Sequence, residues 1–199
     1  MRRPPSTARD LALVAVFAAL VAALSLTPGI PVAFGVPITL QTLGVALAGL
    51  ILGPWRGFAA VVLYVAVGLA GLPVFAQGGA GLGTLAGPTA GYLVSFPVMA
   101  LVAGLAARWA VRRGGRRMPT VLVGGAVVAS LAVNHTVGVA GLMLNAKLSL
   151  PAAVVADLAF VPGDLVKDVL AGLVAAVVHR AFPALLGATR ASADAGELA

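Results

Sequence analysis

Apolar residues fill most of this chain in six long runs, which are separated by short segments rich in glycine, proline and arginine. Apolar runs of about 18 residues are long enough for a helix to cross the hydrocarbon layer of a membrane. Glycine and proline at the ends of the runs are typical of helix boundaries. We therefore predict six helices, over residues 10–26, 38–52, 55–72, 88–110, 119–144 and 163–186.

Three breaks in the pattern carry further information. Residues 53–57 read Gly-Pro-Trp-Arg-Gly, a turn signal that predicts a tight antiparallel hairpin between the second and third helices. Residues 27–37 and 73–88 form longer segments, and the second of these is rich in glycine. Glycine permits unusual backbone angles and a close approach to a ligand, so residues 73–88 are expected to form a functional loop or lid.

Composition decides the class of protein. Hydrophobic residues make up 61% of the chain and charged residues 10%, with a mean hydropathy of +1.08, whereas a soluble domain is about 25% charged. The chain is therefore predicted to be an all-α integral membrane bundle of six transmembrane helices. We expect one transmembrane substrate-binding domain over residues 1–199, with tails of about residues 1–9 and 187–199. A cleaved signal peptide is the alternative for residues 1–26, but their apolar run is longer than most signal cores.

The basic residues indicate the orientation. With six spans, eleven of the 13 Lys and Arg residues fall on one side of the membrane and two on the other. This bias predicts cytoplasmic N- and C-termini. Because the clusters lack interleaved aromatic residues, nucleic acid is not an expected partner. The inner group is Arg2, Arg3, Arg9, Arg56, Arg108, Arg112, Arg113, Arg116, Arg117, Arg180 and Arg190, and the outer group is Lys147 and Lys167.

Small residues repeat along the first helix. Ala15, Ala19 and Ala23 form a ridge with a spacing of four, and Ala18 and Ala22 lie close beside it. Small side chains let helix backbones approach closely in lipid. Two interpretations remain open: ordinary packing inside the bundle, or an exposed docking face for a partner membrane subunit.

The start of the sixth helix holds the most unusual chemistry. Asp164 and Lys167 are three residues apart, hence on one helical face, and Asp168 lies four residues beyond Asp164. Ionisable residues inside a span are costly, by about 2.5 to 3.5 kcal/mol on insertion scales, and so are candidates for function. A ligand that combines N–H donors with an anionic tail would satisfy both charges. The alternative is an internal pair in which the acid and the amine neutralise each other.

Further polar residues are expected at the same outer helix ends. Gln41, Gln77 and Tyr92 are candidate ligand contacts, although each alone could serve only to solvate an interface. Their convergence with Asp164 predicts a mostly apolar pocket with a few placed polar groups. The other members of this outer set are Thr39, Thr42, Thr89, Asn145 and Lys147.

Three polar residues lie elsewhere in the predicted spans. Asn134 and His135 are in the middle of the fifth helix, where we expect a hydrogen bond to a neighbouring helix, at Asp168, with ligand contact as the alternative. His179 is expected at the inner membrane interface. Two histidines so far apart do not predict a metal site.

Catalytic motifs are missing from the sequence. Neither lysine belongs to a GxxxxGK[ST] P-loop, so the chain is not expected to hydrolyse ATP. GxSxG and HExxH motifs are also absent. We expect no catalytic residue, no metal and no cofactor.

Five segments in order along the chain resemble the BioY family: VPITLQTLG at 36–44, AGLILGPWRG at 48–57, GLPVF at 71–75, GPTAGY at 87–92 and PGDLVK at 162–167. The resemblance implies a six-helix substrate-binding S component of an energy-coupling-factor (ECF) transporter, specific for biotin, in the bacterial cytoplasmic membrane. It implies as partners a transmembrane coupling subunit and two ATPase subunits. Asp164 and Lys167 carry over as pocket residues, and Gln77, Gln41 and Tyr92 do so more weakly. The alanine ridge resembles the docking surface for the coupling subunit.

The resemblance gives a hypothesis for recognition. The ureido N–H groups of biotin would donate to Asp164 with help from Gln77 or Gln41, while its carboxylate would meet Lys167 and loop N–H groups. The bicyclic ring would pack on Tyr92. Two rivals remain: an S component for riboflavin or thiamine, and an intramembrane enzyme with Asp164 and Asp168 as paired carboxylates.

Overall fold

The structure, a computed structural model, describes residues 7–31 and 36–186, and this part of the chain is almost entirely helical. Six predicted helices are present, with boundaries within four residues of those predicted at every end but one. The last helix stops five residues early because Pro183 follows Phe182, whose backbone is non-helical (φ −130°, ψ 67°). The predicted tails lie largely outside the described residues. The seven helices are α1 (Thr7–Ser25), α2 (Gln41–Leu52), α3 (Pro54–Leu69), α4 (Ala90–Arg113), α5 (Met118–Asn145), α6 (Leu150–Leu158) and α7 (Val161–Ala181).

Two elements were not predicted. The short helix α6 begins beside Pro151, which suits the first turn of a helix. A two-residue antiparallel ladder joins β1 (Ile30–Pro31) to β2 (Pro37–Ile38), within the segment expected to be a loop. The glycine-rich segment contains two 3-10 turns, Ala76–Gly78 and Leu82–Ala86.

Helix α2 forms the centre of the bundle. Ten of its twelve residues are buried, and α1, α3, α4 and α7 pack around it. Helices α2 and α3 form the predicted antiparallel hairpin, because Gly57 faces Ala48 near the turn while Gln41 bonds Tyr64 at the far end. The turn itself is Gly53, whose φ of 82° strongly favours glycine.

Three helices in the described residues are long and apolar enough to cross a membrane, namely α1, α4 and α5. Helices α2 and α3 are apolar but shorter. Helix α7 has 21 residues, but Asp164, Lys167 and Asp168 lower the hydropathy of its first half. The apolar composition and these helices are those of a membrane protein.

Helix α5 contains a π-helical turn over Ser130–His135. An extra residue in such a turn changes which side chains face inward, and π-turns are frequent at functional sites. Ser130, Asn134 and His135 are all buried here, so the turn places three polar side chains inside the bundle.

The arginine-rich end is held together by two polar side chains. Arg56 donates to Asp10 (3.0 Å) and to the carbonyls of Leu52 and Leu185, so it joins three parts of the chain. His179 was expected at the inner membrane interface, and the structure shows that it faces into the bundle instead of outward. The side chain is 4% exposed and its Nε2 atom donates to the Leu50 carbonyl at 2.8 Å. The Leu50 carbonyl has no helical N–H from which to accept, because the residue four positions further along the chain is Pro54.

Candidate ligand-binding site

A cavity of about 210 Å³ opens where the first turns of α2, α4 and α7 meet, beneath the glycine-rich segment. Its walls are mostly apolar, with Phe75, Phe96 and Phe160 among them. All five residues predicted to contact a ligand line this cavity: Gln41, Gln77, Tyr92, Asp164 and Lys167. The structure therefore brings together side chains that lie up to 126 positions apart in the sequence, between Gln41 and Lys167.

Asp164 and Lys167 form an ion pair at one end of the cavity. The Lys167 Nζ atom lies 2.7 Å from Asp164 Oδ1, and the Thr42 hydroxyl donates to the same oxygen at 2.8 Å. Asp164 and Lys167 are 5% and 7% exposed. The pair is thus made in the described structure, as the internal-pair alternative expected, yet both residues also line the cavity. The acid and the amine thus stand side by side, 2.7 Å apart, in the cavity wall.

Behind this pair lies a buried chain of polar contacts that sequence reasoning missed. His135 Nδ1 lies 2.9 Å from both carboxylate oxygens of Asp157 on α6. The Tyr92 hydroxyl donates to Asp157 at 2.7 Å, so Tyr92 offers the cavity mainly its ring. His135 Nε2 lies 3.4 Å from Asp164 Oδ2, an ion-pair distance without hydrogen-bond geometry. The sequence feature that could have predicted this contact is Asp157 itself, because it is an acidic residue within the apolar segment 150–161.

The expected partner of Asn134 and His135 was wrong. No hydrogen bond joins either residue to Asp168 in the part of the chain that the structure describes. His135 contacts Asp157 and Asp164, and Asn134 Oδ1 lies 2.9 Å from the Ser95 hydroxyl on α4. Asp168 is 1% exposed, and its Oδ2 atom has no partner among the described residues. Asp168 does not line the cavity, which removes the basis for a pair of catalytic carboxylates with Asp164.

The two glutamines differ in their surroundings. Gln41 is buried and its Nε2 atom donates to the Tyr64 hydroxyl at 2.6 Å, which fixes its orientation at the start of α2. Gln77 is exposed and has a left-handed backbone, with φ of 58°. Asn145 donates to the carbonyls of Leu85 and Gly87 and so anchors the segment that carries Gln77 across the cavity.

The alanine ridge of α1 faces outward. Ala15, Ala19 and Ala23 are exposed, whereas Ala18 is buried and Ala22 is partly buried against the bundle. Packing inside the bundle therefore uses Ala18 and Ala22, and the ridge itself contacts no other described helix closely enough to be buried. Among the described residues, no group of three His, Cys, Asp or Glu side chains is arranged to hold a metal ion.

Residues 1–184 match the family model described as the BioY family. The chain belongs to the BioY family. The resemblance seen in the five sequence segments is thereby confirmed, and the match spans nearly the whole BioY chain.

Relatives of this BioY chain are named as transporters. It is 43% identical over 189 residues to a protein of Rhodobacter capsulatus named biotin transporter BioY, covering 89% of this chain and 97% of that one. A protein of the same name from Rhizobium etli is 39% identical, with 89% and 96% covered. A Bacillus subtilis protein named probable biotin transporter BioY is 32% identical, with 87% and 91% covered.

A solved structure is also similar to this BioY chain. It is described as the S-component for biotin from an ECF-type ABC transporter, and it matches with a TM-score of 0.79 and 26% identity. The match covers 90% of this chain and 95% of that one. These names agree with the expectation of a transport subunit and give no support to the intramembrane-enzyme alternative.

Proposed function

We propose that the chain captures biotin from outside the cell and serves as the biotin-specific S component of an ECF transporter. The observation that carries the proposal is the cavity in which a buried acid and a buried amine stand side by side in a BioY-family chain. The relatives named as biotin transporters, and the similar structure of a biotin S-component, favour biotin over riboflavin or thiamine.

The geometry favours one arrangement of the ligand. A ureido group carries a carbonyl acceptor next to N–H donors, so one edge of it can accept from Lys167 and donate to Asp164 at the same time. The 2.7 Å separation of Nζ and Oδ1 suits such an adjacent acceptor and donor. The carboxylate tail then extends away from the pair, towards Gln77 and the glycine-rich segment. Ring contacts come from Tyr92 and the phenylalanines of the cavity wall.

We further propose that α1, α2, α3, α4, α5 and α7 are six membrane spans in the bacterial cytoplasmic membrane. Helix α6, with nine residues, is about 14 Å long and too short to cross about 30 Å of hydrocarbon. With eight arginines of the described residues at the end opposite the cavity, the positive-inside rule supports a cytoplasmic location for both termini. Those arginines are Arg9, Arg56, Arg108, Arg112, Arg113, Arg116, Arg117 and Arg180.

The partners proposed are a membrane coupling subunit and two ATPase subunits, which would supply the nucleotide chemistry that this sequence lacks. The exposed ridge of Ala15, Ala19 and Ala23 is the docking surface that we assign to the coupling subunit, because small side chains let a partner helix approach closely in lipid.

Calorimetric titration of the purified chain with biotin tests the proposal. We expect saturable binding by the wild type and a loss of about 10- to 100-fold in affinity for Lys167→Met, since a charged hydrogen-bond donor is removed from the cavity. Lys147→Met is the matched control, because Lys147 is exposed and does not line the cavity. Wild-type protein that gives no heat with biotin, or equal affinities for the two variants, would refute biotin capture at this cavity.

A further inference from the structure

His135 lies between two carboxylates on different helices. Its Nδ1 atom is 2.9 Å from both oxygens of Asp157 on α6, and its Nε2 atom is 3.4 Å from Asp164 Oδ2 on α7. All three residues are at most 6% exposed. Bulk water therefore screens these contacts much less than it would at the protein surface.

The two contacts restrict the protonation state of the ring. A neutral imidazole has a hydrogen on one nitrogen and a lone pair on the other, and an ionised carboxylate is only an acceptor. In a neutral His135 with its hydrogen on Nδ1, the Nε2 lone pair would lie 3.4 Å from Asp164 Oδ2. The hydrogen bond from Nδ1 to Asp157 needs a hydrogen on Nδ1, and a second hydrogen on Nε2 gives the ring the positive charge that makes its approach to Asp164 attractive.

The alternative, a proton on one of the acids, is opposed by their other partners. Asp164 Oδ1 accepts from the Lys167 ammonium and the Thr42 hydroxyl, and Asp157 Oδ1 accepts from Tyr92. Donors of this kind stabilise the ionised carboxylate. Both acids are therefore expected to be charged.

We propose that His135 is a positively charged positioning residue that holds Asp164 in place for the ligand. This inference rests on the proposed biotin binding. When a ligand carbonyl accepts from Lys167, the ammonium shares its hydrogen bonds between the ligand and Asp164 Oδ1. The positive ring of His135 still lies next to the other carboxylate oxygen, Asp164 Oδ2. The carboxylate therefore stays ionised and oriented to accept hydrogen bonds from the ligand.

Two acidic and two basic side chains make the charged contacts around the ring. Asp157 from α6 and Asp164 from α7 are compensated by His135 and Lys167, and Tyr92 from α4 contributes a neutral hydroxyl. The remaining titratable side chain that α7 buries on this side is Asp168, which makes no hydrogen bond with His135. The Asp157 contact also ties α6, which packs on few elements, to the wall of the cavity.

Nitrogen NMR of protein labelled with ¹⁵N-histidine tests the charge directly. The chain has two histidines, and the other one, His179, is a built-in reference. His179 donates from Nε2 to a carbonyl and has no partner for Nδ1 among the described residues, so it should be a neutral Nε2–H tautomer. We expect one imidazolium and one neutral ring at neutral pH. Two neutral rings would overturn the proposal.

Titration of His135→Gln with biotin tests the positioning role. We expect its Kd to rise by about 10- to 100-fold, the range for loss of a contact to a charged group. His179→Gln, the same change far from the cavity, should keep the wild-type Kd. An unchanged Kd in His135→Gln would refute positioning, whereas a wild type that does not bind biotin would refute the proposed function instead. If His135→Gln does not fold, the nitrogen NMR spectrum of the wild type still tests the charge of His135. The signals of His179 are then assigned by their loss in His179→Gln.

Discussion

The contact between Gly91 on α4 and Gly141 on α5 permits a quantitative prediction. A Cβ atom added to Gly141 would lie 2.6 Å from the Gly91 Cα atom and 2.7 Å from its backbone nitrogen. Ordinary contacts begin at 3.4 Å, so the shortfall is 3.4 − 2.6 = 0.8 Å. Because the opposing atoms belong to the backbone, neither helix can yield by rotating a side chain. Gly141→Ala must push α4 and α5 apart.

The cost should lie near the upper end of the range for overpacking, about 3 kcal/mol. Replacing a helical glycine by alanine returns about 1 kcal/mol, so the net loss is about 2 kcal/mol. Gly124→Ala is the matched control in the same helix, because nothing lies within 4 Å of its added Cβ and the position is exposed. That variant should gain about 1 kcal/mol.

Thermal unfolding in detergent measures the difference. A net loss of about 2 kcal/mol corresponds to a fall of about 4–8 °C for a domain of this size. Gly141→Ala should also weaken biotin binding, because Gly91 directly precedes Tyr92 in the cavity wall. Equal unfolding temperatures for Gly141→Ala and Gly124→Ala would show that the backbones of α4 and α5 are not in contact, and the reasoning would fail.

Two further predictions concern buried polar groups. His179→Ala leaves the Leu50 carbonyl unpaired, since Pro54 has no N–H. This variant should lower the free energy of unfolding by about 1–3 kcal/mol, and the biotin Kd should be unchanged. Equal stability of variant and wild type in denaturation measurements would contradict this prediction. Asp168→Asn should raise the free energy of unfolding by about 1 kcal/mol, because it neutralises a buried carboxylate whose Oδ2 atom has no described partner. A fall in unfolding temperature would mean that the charge has an important partner.

The helices and the members of the cavity wall were predictable from local features. Long apolar runs mark the helices, and Gly53-Pro54 marks the hairpin turn, because membrane solvent imposes length and composition on each span directly. Asp164 and Lys167 were conspicuous since charges in an apolar helix are rare. The sequence alone could also place Gln41, Gln77 and Tyr92 at the same end of the bundle, where the structure gives them a shared cavity.

The partners of the buried polar groups were not predictable in the same way. Asp168 was the expected partner of His135, but the π-turn in α5 and the short helix α6 direct the ring to Asp157 and Asp164 instead. A single extra residue in a helical turn rotates every following side chain, and no local pattern in residues 130–135 marks it. The partner of His179 was not predicted for a related reason: the Leu50 carbonyl is free to accept because Pro54, at the start of another helix, has no N–H.

The shortness of α2 affects the distance over which a ligand must travel. Its twelve residues span about 18 Å along the helix axis, whereas the hydrocarbon layer of a bilayer is about 30 Å thick. The cavity at the first turn of α2 is therefore only about 18 Å, along this helix, from the helix end that carries the turn to α3. Under the proposed transport function, the shortest path for biotin from the cavity to the arginine-rich side is about the length of this one helix.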